Sequence, residues 1–279
     1  MLAGAVKRSC PEHYHIVPLD LPDFDITDYN LVLNTLVTLK ADGIINCAAY
    51  THVDACESER DRAEQVNTRG PANLARAAKL TGARLVHVST DFVFDGEKRL
   101  PYGEEDVVNP QSVYGRTKAL GEQTILDSGL KEYFIVRTSW LYGPGGKNFV
   151  DTIIRLAKEK ESIRVVSDQT GSPTYTEDLA QALWSLVSLH DTHYGIYHYA
   201  NEGQCSWYEF AQEIIRQLRK KGDNLMVKDI IAIESKDYPQ PAKRPAFSVL
   251  SKDKIKQATG ITIPSWQVSL ERYIRGNNQ

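Results

Sequence analysis

Up to about residue 140 the chain alternates short β-branched or apolar runs with longer stretches whose apolar residues recur at helical spacing. Residues 15–19, 43–46, 84–88 and 133–137 read as strands, and residues 29–40 and 70–80 as helices. The second helix directs Leu74, Ala75, Ala77 and Ala78 toward a core, and Gly82 stops it. A further helix carries Tyr114 and Lys118. This βα alternation predicts an α/β fold with a doubly wound parallel sheet and helices on both faces. Beyond residue 150 the rhythm loosens into helices at 150–158 and 177–188, a strand at 163–166 and a Pro-containing stretch at 238–245. The change predicts a first domain over 1–150 and a smaller lobe formed mainly by 151–279, with interleaved segments.

The 279 residues suffice for a sizeable core in one or two domains. A net charge of −3 gives no electrostatic reason to expect nucleic acid or an anionic membrane as partner. No apolar run approaches bilayer length and the start of the chain lacks the organisation of a secretory signal, so a cytoplasmic location is expected. Cys10, Cys47, Cys56 and Cys205 are scattered, without the close pairs of a structural zinc site or redox dithiol, and read as reduced. The seven histidines lack the companions of a metal site, and no metal is expected.

Tyr114 and Lys118 carry the most chemical information. Four residues apart near the start of a helix, they share one face. An ammonium beside the phenol favours phenolate and lowers a tyrosine pKa from about 10, which suits proton exchange with a carbonyl oxygen. The strand at 84–88 runs into Ser89 and Thr90, hydroxyls at a strand's carboxyl end, where ligands bind in open α/β sheets. A Ser/Thr turn capped by Asp91 is the plainer alternative.

Taken in order, these stretches resemble the extended short-chain dehydrogenase/reductase superfamily and, within it, the dTDP-4-dehydrorhamnose reductase family. The resemblance is carried by Leu19-Asp20 and residues 21–28, by the run from Asn46 to Asp54, by Ser89 to Gly96, and by Val113 to Lys118. It continues through Arg137 to Gly143, Asn148-Phe149, Asp168 to Thr174, and Arg244-Pro245. It implies a Rossmann-type dinucleotide-binding domain and a reaction with NADPH or NADH.

Residue by residue, the resemblance implies a catalytic set of Tyr114, Lys118 and Thr90, with Tyr114 and Lys118 also touching the cofactor. Asp20 would accept hydrogen bonds from the adenosine ribose, favouring NADH, while Asp25 and Ile26 would flank the adenine. Cys47, Ala48 and Ala49 would let backbone approach the cofactor, although small side chains equally suit buried packing. Asn67 is either a helix-terminal cap or a polar group orienting the site. Thr90 and Asp91 would lie near the sugar of a dTDP-sugar substrate, with Trp140 and Asn148 lining the pocket and Arg244 on the diphosphate. Trp140 as a core residue and Arg244 as a surface cation are the alternatives.

The chain departs from the family at its start, where an apolar strand and a glycine-rich phosphate loop are expected before Met1-Leu2-Ala3-Gly4. Met1 is therefore expected to be an internal methionine of a longer reading frame, with the start of a lineage that has lost its phosphate loop as the alternative, and the chain as given to bind dinucleotide weakly.

The resemblance implies reduction of the 4-keto group of dTDP-4-dehydro-6-deoxy-L-mannose to dTDP-L-rhamnose. A regulatory or binding subunit with the same fold, similar to that of methionine adenosyltransferase, is the alternative, and a nucleotide-sugar epimerase or dehydratase a third. A homodimer and an assembly-linked magnesium are left open.

Overall fold

The computed structural model describes residues 1–189 and 193–276. Helix α1 (Leu2–Arg8) and helix α2 (Tyr29–Leu39) precede strand β1 (Gly43–Asn46). Helix α3 (Arg60–Glu64) runs through a π turn (Gln65–Arg69) into α4 (Gly70–Thr81) and then β2 (Arg84–Thr90). Helix α5 (Val113–Asp127) leads to β3 (Tyr133–Thr138), the short β4 (Leu141–Tyr142), α6 (Phe149–Glu159) and β5 (Ser162–Val166). Next come the two-residue β6 (Thr170–Gly171) and β7 (Thr174–Tyr175), helix α7 (Thr176–Val187), β8 (Gly195–His198) and β9 (Cys205–Ser206). The chain closes with α8 (Trp207–Lys221), β10 (Asp229–Ile233), α9 (Asp253–Thr259) and α10 (Trp266–Gly276).

The main sheet has the order β1-β2-β3-β8 and every pair is parallel. Its strands alternate faces as the period of two requires. Leu85 and Ile135 turn toward α2, α4 and α5, joining Val32, Leu36, Leu74, Ala75, Ala78 and Ile125. Val86, Phe134 and Val136 turn to the other face, meeting Leu2, Val6, Leu179, Leu183 and Ile255 from α1, α7 and α9. Helices thus cover both faces of a parallel sheet, which is the doubly wound arrangement. A separate core gathers α6, α8 and α10 on the parallel pair β5–β10, around Val150, Ile153, Phe210, Ile214 and Leu270.

Residues 15–19, expected as a strand, form no ladder. A strand exists only through its hydrogen-bonded neighbour, and among the described residues β1 pairs only with β2. Val17 and Leu19 are more than two-fifths exposed. The strand expected at 84–88 extends through Ser89 and Thr90, because both pair with β3 opposite Arg137 and Thr138. The other expected helices and strands lie within a residue or two of the observed bounds. Unanticipated are α8, begun by a reciprocal Ser206/Glu209 capping box, and α10, whose buried Trp266, Leu270, Tyr273 and Ile274 complete the second core.

Candidate active site

The parallel register brings the ends of β1, β2 and β3 to one edge of the sheet, so Thr90 ends β2 there and residues 47–49, 91 and 139–140 follow neighbouring strands. Helix α5 presses its first turns onto this edge. Ser112 caps it, its Oγ accepting from the Gly115 amide at 3.1 Å. A Cβ on Gly115 would lie 2.2 Å from the Phe92 carbonyl oxygen, and one on Gly121 would lie 2.1 Å from that of Asn67. Only positions without side chains permit this approach. It buries Tyr114, Lys118 and Glu122, spaced by four along one helix face.

Tyr114 packs edge-on against Phe92, ring centroids 5.4 Å apart, beside Tyr50, Cys56 and Val113. Burial pushes its phenol above the ordinary tyrosine range; a hydrogen bond with Thr90 opposes the rise and the charge of Asp91 adds to it. Lys118 does not aim its nitrogen at the phenol. Its Nζ donates to the Val88 carbonyl at 2.8 Å and lies 3.2 Å from His87 Nε2. Burial pulls Lys118 down to about 8, against the pull of Glu122 and Cys47. The expected lowering of the phenol by an adjacent ammonium is therefore corrected: in this geometry desolvation dominates both groups.

Ser89, considered above as a substrate contact, donates its hydroxyl to Glu122 instead. Glu122 also accepts from Arg137, Nε at 3.0 Å and Nη2 at 2.7 Å, with both side chains almost fully buried. Thr90 remains at the site. Its Oγ1 donates to Asp91 Oδ1 at 3.0 Å, accepts from the Phe92 amide at 3.2 Å and bonds Tyr114. Burial raises the Asp91 carboxyl to about 6 despite hydrogen bonds from Ser248 and Thr90. The turn reading describes this corner, with Thr90 capping it through the Phe92 amide.

On the expected cofactor side, Ala48 is exposed and Ala49 half-buried just past β1. Burial pushes the Cys47 thiol up to about 12, so it is uncharged. Asp20 is exposed, with Oδ1 accepting from the Leu21 amide at 2.8 Å. Asp25 closes a local turn by accepting from the Thr27 amide at 2.8 Å. Ile26 is drawn into the core, where a Cβ on Gly70 would stand 2.5 Å from its Cδ1. Its side chain therefore packs on α4, and an adenine-flanking role falls to its backbone alone. Asn67 is not a helix cap: buried in the π turn, it accepts from the Tyr50 amide and donates to the Tyr50 carbonyl and Thr117 Oγ1. It clamps the loop after β1 to α5.

On the expected substrate side, Trp140 has a left-handed backbone (φ 49°) and stacks on Trp207 with ring centroids 3.5 Å apart. It is half-buried, so pocket and core readings meet in one side chain. Asn148 caps α6, accepting from the Asp151 amide at 2.9 Å, while its Nδ2 donates to Asp151 Oδ2 and to the Gly143 and Gly146 carbonyls. Its amide is spent on the cap. Arg244 is no free surface cation: its fork grips Asp54 with two contacts of 2.8 Å. Burial alone would raise Asp54, but Arg244 and the Ala242 amide outweigh it and hold the carboxyl below its usual range. A diphosphate at Arg244 would compete with that carboxylate. The motifs do converge, since a Cβ on Gly96 would collide with Pro245 and Ala246.

Sequence reasoning overlooked Asn46, His87, Glu122 and Arg137. Glu122 was legible, lying four residues beyond Lys118 on the same face. Asn46 and His87 occupy paired positions on β1 and β2, a register that only the folded sheet reveals. Among the described residues no His, Cys, Asp and Glu side chains cluster as metal ligands.

A model of the RmlD substrate binding domain family matches residues 2–278. The chain is 42% identical to a dTDP-4-dehydrorhamnose reductase of Aggregatibacter actinomycetemcomitans, over 92% of this chain and 89% of that one. It is 41% identical to the spore coat polysaccharide biosynthesis protein SpsK of Bacillus subtilis (strain 168), over 94% and 89%. A crystal structure of the dTDP-4-dehydrorhamnose reductase of Bacillus anthracis in complex with NADP superimposes with a TM-score of 0.92 at 39% identity, covering 99% of this chain and 95% of that one.

Proposed function

Because the chain belongs to the family defined by the RmlD substrate binding domain, that of the dTDP-4-dehydrorhamnose reductases, we propose that it reduces the 4-keto group of dTDP-4-dehydro-6-deoxy-L-mannose to give dTDP-L-rhamnose with NADPH or NADH. The observation that carries this reading is the buried Thr90–Tyr114–Lys118 corner at the carboxyl edge of a parallel sheet. The residues present fit a dinucleotide. Ala48 and Ala49 leave open backbone at that edge, and Lys118 Nζ, with two protein partners, keeps a third bonding direction for a ribose hydroxyl.

A reduced nicotinamide held at this edge, with Lys118 on its ribose, would supply the hydride for the keto carbon. Tyr114 gives its phenolic proton to the sugar oxygen, and its raised pKa keeps that donor loaded at neutral pH. Thr90, hydrogen-bonded to the phenol and fixed by Asp91 and the Phe92 amide, holds the Tyr114 hydroxyl in place, and it would polarise the carbonyl by turning its one proton from Asp91 to the sugar oxygen. Trp140 offers its half-exposed ring as an apolar wall. We assign the domain over 1–150 to the cofactor and 151–279 mainly to the sugar nucleotide, in a cytoplasmic homodimer. The binding-subunit alternative is not favoured, because Tyr114, Lys118 and Thr90 are all present and the relatives named above include reductases.

The test is direct. Purified chain is mixed with dTDP-4-dehydro-6-deoxy-L-mannose and either reduced cofactor, and loss of reduced-nicotinamide absorbance is followed with product identified by chromatography. Formation of dTDP-L-rhamnose is expected; no consumption of either cofactor counts against the reading.

A further inference from the structure

Among the described residues, Trp140 is one of two non-glycine residues with a left-handed backbone, at φ 49°. The other, Lys40, is the C-cap of α2, where that conformation is ordinary. Trp140 ends no helix. A residue with a Cβ stays in this region only where its surroundings hold it, and residues so held cluster at ligand clamps.

Neighbouring segments supply those surroundings. Trp140 lies two residues past Thr138, the partner of Thr90 in the β2–β3 ladder, and so belongs to the same sheet edge as the Thr90–Tyr114 corner. Its carbonyl accepts from the Thr174 amide at 3.2 Å, and Ser139 beside it donates to the Ser172 carbonyl at 2.7 Å. Ser172 in turn donates to the Gly203 carbonyl at 2.7 Å. The antiparallel pair β6–β9 then sets Gly171 opposite Cys205 and Thr170 opposite Ser206, the cap of α8, so that Trp207 follows at once. Gly171 and Trp207 thus arrive at Trp140 together.

Both shape its ring. Trp207 lies 6° from parallel to it and is itself backed by Phe149, with ring centroids 4.6 Å apart. A Cβ on Gly171 would stand 2.5 Å from Cε2 and 2.7 Å from Cζ2 and Nε1 of the Trp140 indole, closer than real side-chain atoms approach. Gly171 has no left-handed backbone of its own, so the indole is what excludes a side chain there.

On the reading that Trp140 walls the sugar-nucleotide pocket, we infer that Gly171 and Trp207 are positioning residues that seat Trp140 and fix the plane its indole presents to the ligand. A ring clamped in this way gives up little freedom on binding, so the wall is formed before the nucleotide sugar arrives. Moving the ring weakens the nucleotide sugar and spares the reduced cofactor.

The probe is dTDP-L-rhamnose, titrated calorimetrically into the purified chain and its variants. In Gly171→Ala the added methyl must displace the indole, and in Trp207→Leu the stacking platform is gone. Each should weaken dTDP-L-rhamnose about three- to tenfold, the worth of one aromatic contact. Trp207→Phe keeps a flat ring beside Trp140 and should retain most of the affinity. In turnover the loss should fall on KM for the 4-keto sugar nucleotide while KM for the reduced cofactor stays put, a split that general loosening of the fold does not give. Wild-type affinity in folded Gly171→Ala and Trp207→Leu, or an equal loss of cofactor affinity, overturns the seat. Should one of the two fail to fold, the other decides. A wild-type chain that binds dTDP-L-rhamnose without reducing the 4-keto sugar removes the reductase assignment and leaves the variants to decide the seat. A wild-type chain that does not bind it overturns the seat together with the wall.

Discussion

Glu122 and Arg137 face each other across the junction of α5 and β3 as a bidentate pair with side chains 4% and 3% exposed, and Ser89 donates to the same carboxylate. Two desolvated charges this well matched are not cheap to separate. Arg137→Met alone should destabilise the fold by about 3–5 kcal/mol, because it strands a carboxylate away from water. Combining it with Glu122→Leu should recover most of that loss. Urea denaturation of wild type and both variants checks the expectation, and equal stability of single variant and wild type would count against it.

Tyr114→Phe should leave the urea midpoint close to that of wild type and lower kcat about 10²- to 10⁴-fold, since the ring still packs on Phe92 while the donor is removed. Stopped-flow reduction of the 4-keto sugar nucleotide measures the chemical step. An unchanged kcat would remove Tyr114 from the reaction.

Asp91 makes stability depend on pH with a definite sign. Burial raises its folded pKa from 3.8 to about 6, so the native state holds the proton more tightly than the unfolded chain does. The resulting contribution is fully present below 3.8 and is lost as pH rises through about 6. Asp91→Asn should therefore gain stability relative to wild type between those values, by up to about 3 kcal/mol at neutral pH, with the difference constant above and below the window. Chemical denaturation of both proteins across that range tests it. A difference that does not vary with pH would mean that Asp91 has the same pKa in the folded and unfolded chain.

Asp20 is exposed and its carboxylate would repel a 2′-phosphate while accepting from a 2′-hydroxyl. NADH should be used at least as well as NADPH by kcat/KM, and Asp20→Ala should shift the ratio toward NADPH. A strong NADPH preference in the unsubstituted chain would displace Asp20 from the ribose.

The central layers were legible from the chain because burial on both faces writes near-continuous apolar strands, and Leu74, Ala75 and Ala78 mark a helix with an equally plain period. Residues 15–19 have the composition of a strand but no ladder, since pairing is a property of two segments. The site was legible in its identities more than in its bonds. Ser89, Asn148 and Arg244 are where the motifs put them along the chain, yet each is engaged by a protein partner, Glu122, Asp151 and Asp54, that lies on another element or in the same turn. Lys118 shows the same limit, because helical spacing fixes the face a side chain leaves from and not the strand carbonyl it reaches.

Trp140 leaves the end of β3 and Trp207 opens α8, so the stacked indoles join the main sheet to the second core. Two parallel rings 3.5 Å apart couple their electronic transitions, and the chain thereby carries an intrinsic optical ruler. Its excitonic circular-dichroism couplet should exist only while the two cores are docked. Trp140→Phe or Trp207→Phe should abolish it while leaving the far-ultraviolet spectrum of the helices in place. Followed during denaturation or on addition of a nucleotide sugar, that one signal distinguishes separation of the two cores from melting of either.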